Sequence, residues 1–326
     1  MGNEGHKVAA LCLVSMLAAC GAPPPSAEET SSAAEAVTSS VIKNVFIIIM
    51  ENHDASQIYG NTASAPYINN TLIPNYARST NFNDELPSLA SEPHYVWAEA
   101  GTNAFSDHTF TTDNDASSTN STSSTAHLVT QIKNATNGVT WRTYQEGING
   151  TTGSCPIASS GRYAAKHNPF VFFRDVSGNP PSKTNAYCIA HTRPYSSFAT
   201  DLANGNVASY TWITPNLCND MHDSCAPLNN SIKQGDTWLS TELPRIISWA
   251  NAHSGVVFIT WDEGSSTTKM PFLAVGPGVK VNYAGSVSYT HGSIIKSAEA
   301  ILQVPTLSTV AGANALGDLF RAGSYP

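Results

Sequence analysis

The sequence predicts an α/β fold with a mainly parallel central sheet and helices on both faces. Two short runs, residues 44–50 and 256–261, are apolar at nearly every position and rich in β-branched residues. Such runs are typical of strands buried on both faces of a parallel sheet. Strand-like and helix-like segments also alternate along the chain, which favours a sheet covered on both sides. With 326 residues and 41% apolar content, the chain can form one large domain, assigned to residues 41–326.

The N-terminal segment has the features of a targeting signal. Residues 8–19 are an apolar stretch too short to anchor the chain across a bilayer. This stretch ends in Leu17-Ala18-Ala19-Cys20, which resembles a bacterial lipoprotein cleavage box. We therefore expect residues 1–20 to be a signal peptide and Cys20 to carry a lipid anchor. Residues 21–40 are rich in Pro, Ser, Ala and Glu and predict a disordered tether. The expected product is exported, either as a cell-envelope lipoprotein or as a secreted protein.

Charge excludes one class of partner. The formal net charge is −8, charged residues make up 12% of the chain, and no basic stripe is visible. A nucleic-acid partner needs clustered positive charge to neutralise phosphates. We therefore expect no nucleic acid to bind, and no polybasic membrane surface.

Four cysteines remain after the signal segment, an even number that predicts two disulfides in an exported domain. Four cysteines allow three pairings. We favour Cys218–Cys225, which closes a short loop, together with Cys155–Cys188. A zinc site made of the same four cysteines is the alternative, but no C-x-x-C spacing supports it.

The remaining elements follow in order. After the first strand, residues 61–85 are rich in Asn, Thr and Ser. Residues 92–100 predict a helix with Ser91 as its N-cap and Gly101 as its stop signal. Further downstream we expect a helix at 126–135, a strand at 206–214, a helix at 236–252 that Pro244 bends, strands at 256–261 and 272–275, and a last helix at 293–302.

Polar residues follow the predicted strands directly. Glu51 and Asn52 end the first strand, and Asp262 and Glu263 end the strand at 256–261. Ligands of open α/β sheets bind at the carboxyl ends of the strands. Carboxylate oxygens suit Ca²⁺, Mg²⁺ or Mn²⁺, and added histidines shift the preference towards Zn²⁺ or Fe²⁺. The sequence therefore predicts a divalent metal site, with the identity of the metal left open.

Ser91 allows two interpretations. It suits an ordinary helix cap, and it also suits a nucleophile, because a helix N-terminus attracts phosphate. An acyl-transferring serine hydrolase is disfavoured, since the chain has no G-x-S-x-G motif. His167, in the aromatic stretch 167–173, is interpreted as a structural residue rather than a ligand.

Several short motifs occur in a fixed order: Glu51-Asn52-His53, Ser91-Glu92-Pro93-His94-Tyr95, Pro215-Asn216-Leu217-Cys218-Asn219-Asp220-Met221-His222-Asp223, Trp261-Asp262-Glu263-Gly264 and Tyr289-Thr290-His291. Together they resemble the bacterial phosphoesterase family of acid phosphatases and phospholipases C, within the alkaline-phosphatase-like superfamily.

The resemblance implies a role for each matching residue. The implied metal ligands are Glu51, Asn52, Ser91, Asp262 and Glu263. Ser91 would also be the nucleophile, with His291 and His222 as further catalytic residues. Asn52, His94 and Asp220 are expected to contact substrate or phosphate. His94 departs from the family pattern, which commonly has Asn at this position.

We therefore predict an exported, metal-dependent phosphoesterase that forms a phosphoserine intermediate. An acid phosphatase acting on small phosphomonoesters is favoured, because the family's phospholipases C tend to be longer. Phospholipid head groups are the alternative substrate, either as phosphomonoesters or through phospholipase C-type phosphodiester cleavage. A non-catalytic, ligand-binding surface lipoprotein is the third hypothesis.

Overall fold

The structure is a computed structural model that describes residues 42–148 and 153–326. Within these residues the centre of the fold is an eight-stranded sheet with the strand order β4-β3-β5-β1-β6-β7-β2-β8. The strands are β1 Asn44–Met50, β2 Ala77–Asn83, β3 Trp141–Gln145, β4 Thr192–Pro194, β5 Tyr210–Thr214, β6 Gly255–Trp261, β7 Lys269–Val275 and β8 Tyr283–Gly285. The predicted signal peptide, tether and lipidated Cys20 lie outside the described residues.

The sheet is mixed, so the prediction of a mainly parallel sheet is only partly right. Strand β1 pairs in parallel with β5 and β6, and β3 pairs in parallel with β4 and β5. Strand β7 runs antiparallel to both of its neighbours, β6 and β2. The chain between β6 and β7 spans only residues 262–268, which is too short for a parallel crossover. A hairpin therefore reverses the chain immediately after Asp262 and Glu263.

Helices pack on both faces of this sheet, as predicted. They are α1 Ala55–Ile58, α2 Ile73–Asn75, α3 Ser91–Ala100, α4 Leu128–Asn134, α5 Arg174–Ser177, α6 Ala186–His191, α7 Phe198–Ala203, α8 Ser231–His253 and α9 His291–Leu302. A π-helical turn at Ile68–Leu72 and 3₁₀ turns at Ala165–His167, Pro169–Phe172, Tyr195–Ser197, Ser308–Val310 and Leu316–Leu319 complete the helical segments.

Strand β1 separates two hydrophobic cores. Val45, Ile47 and Ile49 point into the core that also contains apolar residues of α3 and α9. Phe46, Ile48 and Met50 point into the second core, which α8 covers with residues such as Leu239 and Leu243. Alternate residues of a strand face opposite sides of the sheet, so β1 is apolar on both faces because both faces are buried.

All four predicted helices are present, and their boundaries differ from the prediction by up to five residues. Ala90 is the N-cap of α3, and Ser91 is its first helical residue. Helix α8 begins at Ser231, five residues before the predicted start, because the Asn230 side chain caps it by accepting a hydrogen bond from Lys233 N at 2.9 Å. Strand β2 was not predicted and lies in the segment rich in Asn, Thr and Ser.

Both favoured disulfides are present, Cys155–Cys188 and Cys218–Cys225. They exclude the alternative of a four-cysteine zinc site. The second disulfide closes the loop that follows β5, which carries Asp220 and His222. Across the described part of the chain, every helix is too short or too polar to traverse a bilayer.

Candidate active site

The candidate site lies at the edge where the parallel strands β1, β5 and β6 end. Glu51 follows β1 directly and Asp262 follows β6 directly. The Glu51 N–H donates to the Asp220 carbonyl at 2.7 Å, and the Asp262 N–H donates to the Met50 carbonyl at 3.0 Å. These backbone hydrogen bonds tie the three loops together, so three carboxylates from distant parts of the chain face one pocket.

Ser91 enters this pocket from helix α3. Its Oγ lies 3.1 Å from Glu51 Oε2 and 3.5 Å from Glu263 Oε1, and the residue is 4% exposed. Because Ser91 is the first helical residue rather than the cap, its hydroxyl makes no capping hydrogen bond. The hydroxyl is therefore available to the carboxylates.

Asn52 connects Glu51 to Asp262. Its backbone N–H donates to Asp262 Oδ1 at 3.1 Å, in a left-handed conformation with φ of 44° that Asn tolerates better than most residues. With its amide nitrogen facing the carboxylates, its side chain donates to Glu51 Oε2 at 2.9 Å and to Asp262 Oδ1 at 3.1 Å. If a cation bound between Glu51, Asn52 and Asp262, the Asn52 side chain would turn its amide oxygen, and not its nitrogen, towards the cation.

The carboxylates destabilise one another's ionised forms. Burial, followed by the charges of Asp262 and Asp220, raises the pKa of Glu51 well above its usual value. Burial also raises the pKa of Asp220 and that of Asp262. Burial and the charge of Asp262 raise the pKa of Glu263 to about 7. Such crowding of acids is the electrostatic setting that a bound cation relieves.

The residues present fit a divalent metal. Carboxylate and amide oxygens of Glu51, Asn52, Asp262 and Glu263 surround the Ser91 hydroxyl, and hard oxygen donors are the ligands that divalent cations prefer. A further ligand group comprises Glu51, His167 and Asp220, whose candidate donor atoms all lie within 4.8 Å of one another.

Tyr95 and His167 are site residues to which the sequence reasoning gave no role at the site. The Tyr95 hydroxyl donates to Glu51 Oε1 at 2.6 Å, and its ring stacks on His167 with centroids 4.9 Å apart. Tyr95 follows Ser91 by four residues, so one helix face presents both, and this spacing was the available signal. His167, which the sequence pattern favours as a structural residue, has its Nδ1 3.2 Å from Glu51 Oε1.

His94 is held as an imidazolium beside the pocket. Its Nε2 lies 3.0 Å from Asp84 Oδ1, and its Nδ1 lies 2.8 Å from the Ala90 carbonyl. Burial disfavours the charged ring, but the hydrogen bond to Asp84 and the charge of Asp262 raise the pKa of His94 to about 9. The ring therefore fixes the residue that precedes Ser91.

The other two candidate histidines have different surroundings. His291 is buried and its Nε2 lies 2.8 Å from the Trp261 carbonyl, which places the ring beside the Asp262 loop. Burial lowers the pKa of His291 to about 4, so the ring is neutral. His222 is exposed, and its Nδ1 lies 2.7 Å from Asp223 Oδ1. Its ring lies 6.1 Å from that of His167, at the open side of the site.

Comparison with known proteins assigns the family. The model of the phosphoesterase family matches residues 87–305. The chain belongs to the phosphoesterase family. It is accordingly a hydrolase of phosphate ester bonds, as the sequence motifs predicted.

Two curated relatives are named phosphatases. A phosphatidylinositol-3-phosphatase of Mycobacterium tuberculosis is 28% identical over 314 residues, which are 95% of this phosphoesterase and 94% of that protein. An acid phosphatase of Aspergillus fumigatus is 28% identical over 228 residues, which are 67% of this chain but 46% of the fungal enzyme. The match therefore spans about half the length of that fungal relative.

Solved structures support the fold. A protein of the alkaline phosphatase superfamily from Vibrio parahaemolyticus superposes with a TM-score of 0.52 at 9% identity, covering 82% of this phosphoesterase and 68% of that chain. At this identity the similarity concerns the architecture alone.

Proposed function

We propose that this phosphoesterase is an exported, metal-dependent acid phosphatase that hydrolyses phosphomonoesters through a phosphorylated Ser91. The observation that carries the proposal is the position of the Ser91 hydroxyl, 3.1 Å from Glu51 and 3.5 Å from Glu263 at the start of a ten-residue helix. A hydroxyl among acids, at the positive end of a helix dipole, suits attack on a phosphate held by a cation.

The metal would be held by Glu51, Asn52, Asp262 and Glu263 together with the Ser91 oxygen. When bound, it supplies charge that favours the Ser91 alkoxide and offsets the negative charge of the phosphoryl oxygens. The backbone N–H of Asn52 holds Asp262, and the Tyr95 hydroxyl orients Glu51. These contacts preorganise the site before substrate arrives.

The protein side chains carry the proton transfers. Ser91 Oγ attacks phosphorus in line with the leaving oxygen, and the Ser91 hydroxyl proton leaves through the adjacent carboxylates. In this proposal His222, which is exposed and contacts Asp223 through its Nδ1, protonates the leaving oxygen. Water then hydrolyses the phosphoserine. His291 is assigned to support of the Asp262 loop, because its Nε2 faces the Trp261 carbonyl.

Two observations support the compartment and the substrate class. Two disulfides fit an oxidising compartment, in line with export through residues 1–20 and lipid anchoring at Cys20. The relative that aligns along nearly the whole chain is named for a phosphomonoester on an inositol lipid. An inositol-lipid head group is therefore a specific candidate substrate beside small soluble phosphomonoesters.

Trapping the intermediate tests the nucleophile. The full chain is mixed with an aryl phosphate, quenched in acid after a few turnovers, digested and examined by mass spectrometry. We expect a phosphate adduct on the peptide that contains Ser91, and none in Ser91→Ala. Turnover with an adduct elsewhere would overturn the assignment of Ser91.

A substrate panel tests the ester class. Rates are compared for an aryl phosphomonoester, an aryl phosphodiester, phosphatidylcholine and phosphatidylinositol 3-phosphate. Hydrolysis of the two monoesters with no turnover of either diester is expected of a phosphatase. Preferred cleavage of phosphatidylcholine would instead establish a phospholipase C-type enzyme.

A further inference from the structure

The two carboxylate oxygens of Glu51 face different partners. Oε2 faces the Ser91 hydroxyl and the Asn52 amide, at 3.1 Å and 2.9 Å. Oε1 faces the Tyr95 hydroxyl and the His167 ring, at 2.6 Å and 3.2 Å. Glu51 is fully buried, so both sides belong to the interior of the site. One carboxylate therefore separates two groups of donor atoms.

The Oε1 side has the composition and spacing of a metal site. His167 Nδ1 lies 3.2 Å from Glu51 Oε1 and 3.6 Å from Asp220 Oδ2. Ligands about 2.0–2.2 Å from a tetrahedral Zn²⁺ lie roughly 3.3–3.6 Å from one another, which matches these separations. The candidate donor atoms of all three residues lie within 4.8 Å of one another, and all three residues are buried.

Asp220 has a buried carboxylate oxygen without a hydrogen-bond partner among the described residues, which is an independent indication of a cation site. It is fully buried, and its Oδ1 accepts the His222 N–H at 2.8 Å. Its Oδ2, which faces His167, has no hydrogen-bond partner in the described structure. A buried carboxylate oxygen without a donor is costly unless a cation or proton satisfies it. The stacking of His167 on Tyr95 meanwhile holds the imidazole edge towards this oxygen.

We propose that Glu51, His167 and Asp220 form a second cation site, separate from the one at Ser91, with Glu51 bridging the two. The proposal rests on the proposed function, since it adds a metal to the same pocket. One imidazole and two carboxylates favour Zn²⁺, Mn²⁺ or Fe²⁺ over Ca²⁺ and Mg²⁺. Three protein ligands are also the number found in catalytic zinc sites, where a further position stays open to water or substrate.

Metal stoichiometry tests the site without relying on activity. The full chain is stripped of metal, reloaded with Zn²⁺, desalted and measured by elemental analysis. We expect two Zn²⁺ per wild-type chain and one in His167→Asn and in Asp220→Asn. His191→Asn is the matched control, since His191 is a partly buried histidine whose Nδ1 lies 2.8 Å from the Tyr187 carbonyl. It should retain two.

Electron paramagnetic resonance of the wild-type chain loaded with Mn²⁺ tests the bridge without any substitution. Two Mn²⁺ ions joined by Glu51 should give a spin-coupled spectrum. A spectrum of isolated Mn²⁺ at one ion per chain would overturn the proposal, as would two Zn²⁺ per chain in both variants. Either result leaves the proposed function standing if phosphoserine still forms. Two bound metals without turnover would contradict the proposed function instead.

Discussion

The Ser91 hydroxyl and the Glu51 carboxylate meet at 3.1 Å although forty positions separate them in the chain. Glu51 is fixed by the end of the central strand β1, and Ser91 by helix α3, whose Tyr95 and Val96 are fully buried in the core. Two rigid elements therefore set the distance between the candidate nucleophile and the carboxylate. The contact depends on packing far from the hydroxyl itself, so the hydroxyl can be removed without disturbing its support.

Ser91→Ala should abolish catalysis and leave the fold intact. We expect kcat for an aryl phosphate to fall by about 10³-fold or more, because no other group at this position can form the covalent intermediate. Stability should change by no more than about 1 kcal/mol, since one hydrogen bond is lost. Ser231→Ala is the matched control, because Ser231 is the first residue of helix α8 as Ser91 is of α3. Full activity in Ser91→Ala would rule out the phosphoserine route.

Tyr95→Phe should weaken metal binding rather than prevent folding. The Tyr95 hydroxyl stabilises the ionised Glu51 carboxylate, so its loss raises the pKa of Glu51 further and lets protons compete with the metal. We expect metal affinity and kcat/KM to fall by roughly 10–100-fold. Isothermal titration with Zn²⁺ should show the loss shrinking as pH rises.

Tyr289→Phe is the control for that substitution. Tyr289 is also fully buried, but its hydroxyl has no hydrogen-bond partner in the described structure. Removing it should leave metal affinity unchanged and stability unchanged or higher. Equal losses of metal affinity in both variants would show that the Tyr95 effect comes from packing and not from its contact with Glu51.

Removing the metal should inactivate and destabilise the enzyme together. After dialysis against a chelator we expect turnover to disappear and Tm to fall by about 5–10 °C. This is the change expected when a ligand present at a concentration of about 100 times its Kd is removed. The cause is the repulsion among Glu51, Asp220 and Asp262, which the cation no longer offsets. Adding back Zn²⁺, Mn²⁺, Mg²⁺ or Ca²⁺ separately identifies the effective ion. A metal-free protein with unchanged turnover and Tm would refute metal dependence.

The central strand and its terminal acids could be predicted because their signal is local. An apolar run buried on both faces, followed at once by Glu51 and Asn52, needs no tertiary information. Strand β2 has no such signal, since it places Ala77 and Ser79 in the interior along with Phe82. Its pairing with the antiparallel β7, rather than its composition, makes it a strand.

In the candidate site, too, some residues have a local sequence signal and others are brought in only by tertiary packing. Acids and the serine could be found from motifs, but the contact of His167 with Glu51 depends on how a 3₁₀ turn packs beside the sheet. The start of α3 was misplaced by one residue, and that residue decides whether the Ser91 hydroxyl is a cap or is free to act. Helix ends are set by competing local hydrogen bonds that sequence patterns resolve poorly.

Glu299→Gln should stabilise the protein at high pH, through a buried carboxylate far from the chemistry. Glu299 is fully buried in α9, its Oε1 accepts the Leu307 N–H at 2.8 Å, and its Oε2 has no partner in the described structure. Burial raises the pKa of Glu299 to about 7 from 4.5, and the charge of Glu99 adds to the shift. The folded state therefore binds more protons than the unfolded state between these two values.

The contribution of Glu299 to the free energy of unfolding is therefore largest below about pH 4.5. It decreases as pH rises to about 7 and does not recover at higher pH. The variant keeps the acceptor for Leu307 and removes the titration, so at pH 8 it should unfold with a free energy about 1–3 kcal/mol higher than wild type. At pH 4 the two proteins should differ little. Urea unfolding at both pH values measures this difference. An equal gap at pH 4 and pH 8 would assign the effect to packing, because only the carboxylate's proton equilibrium changes between the two conditions.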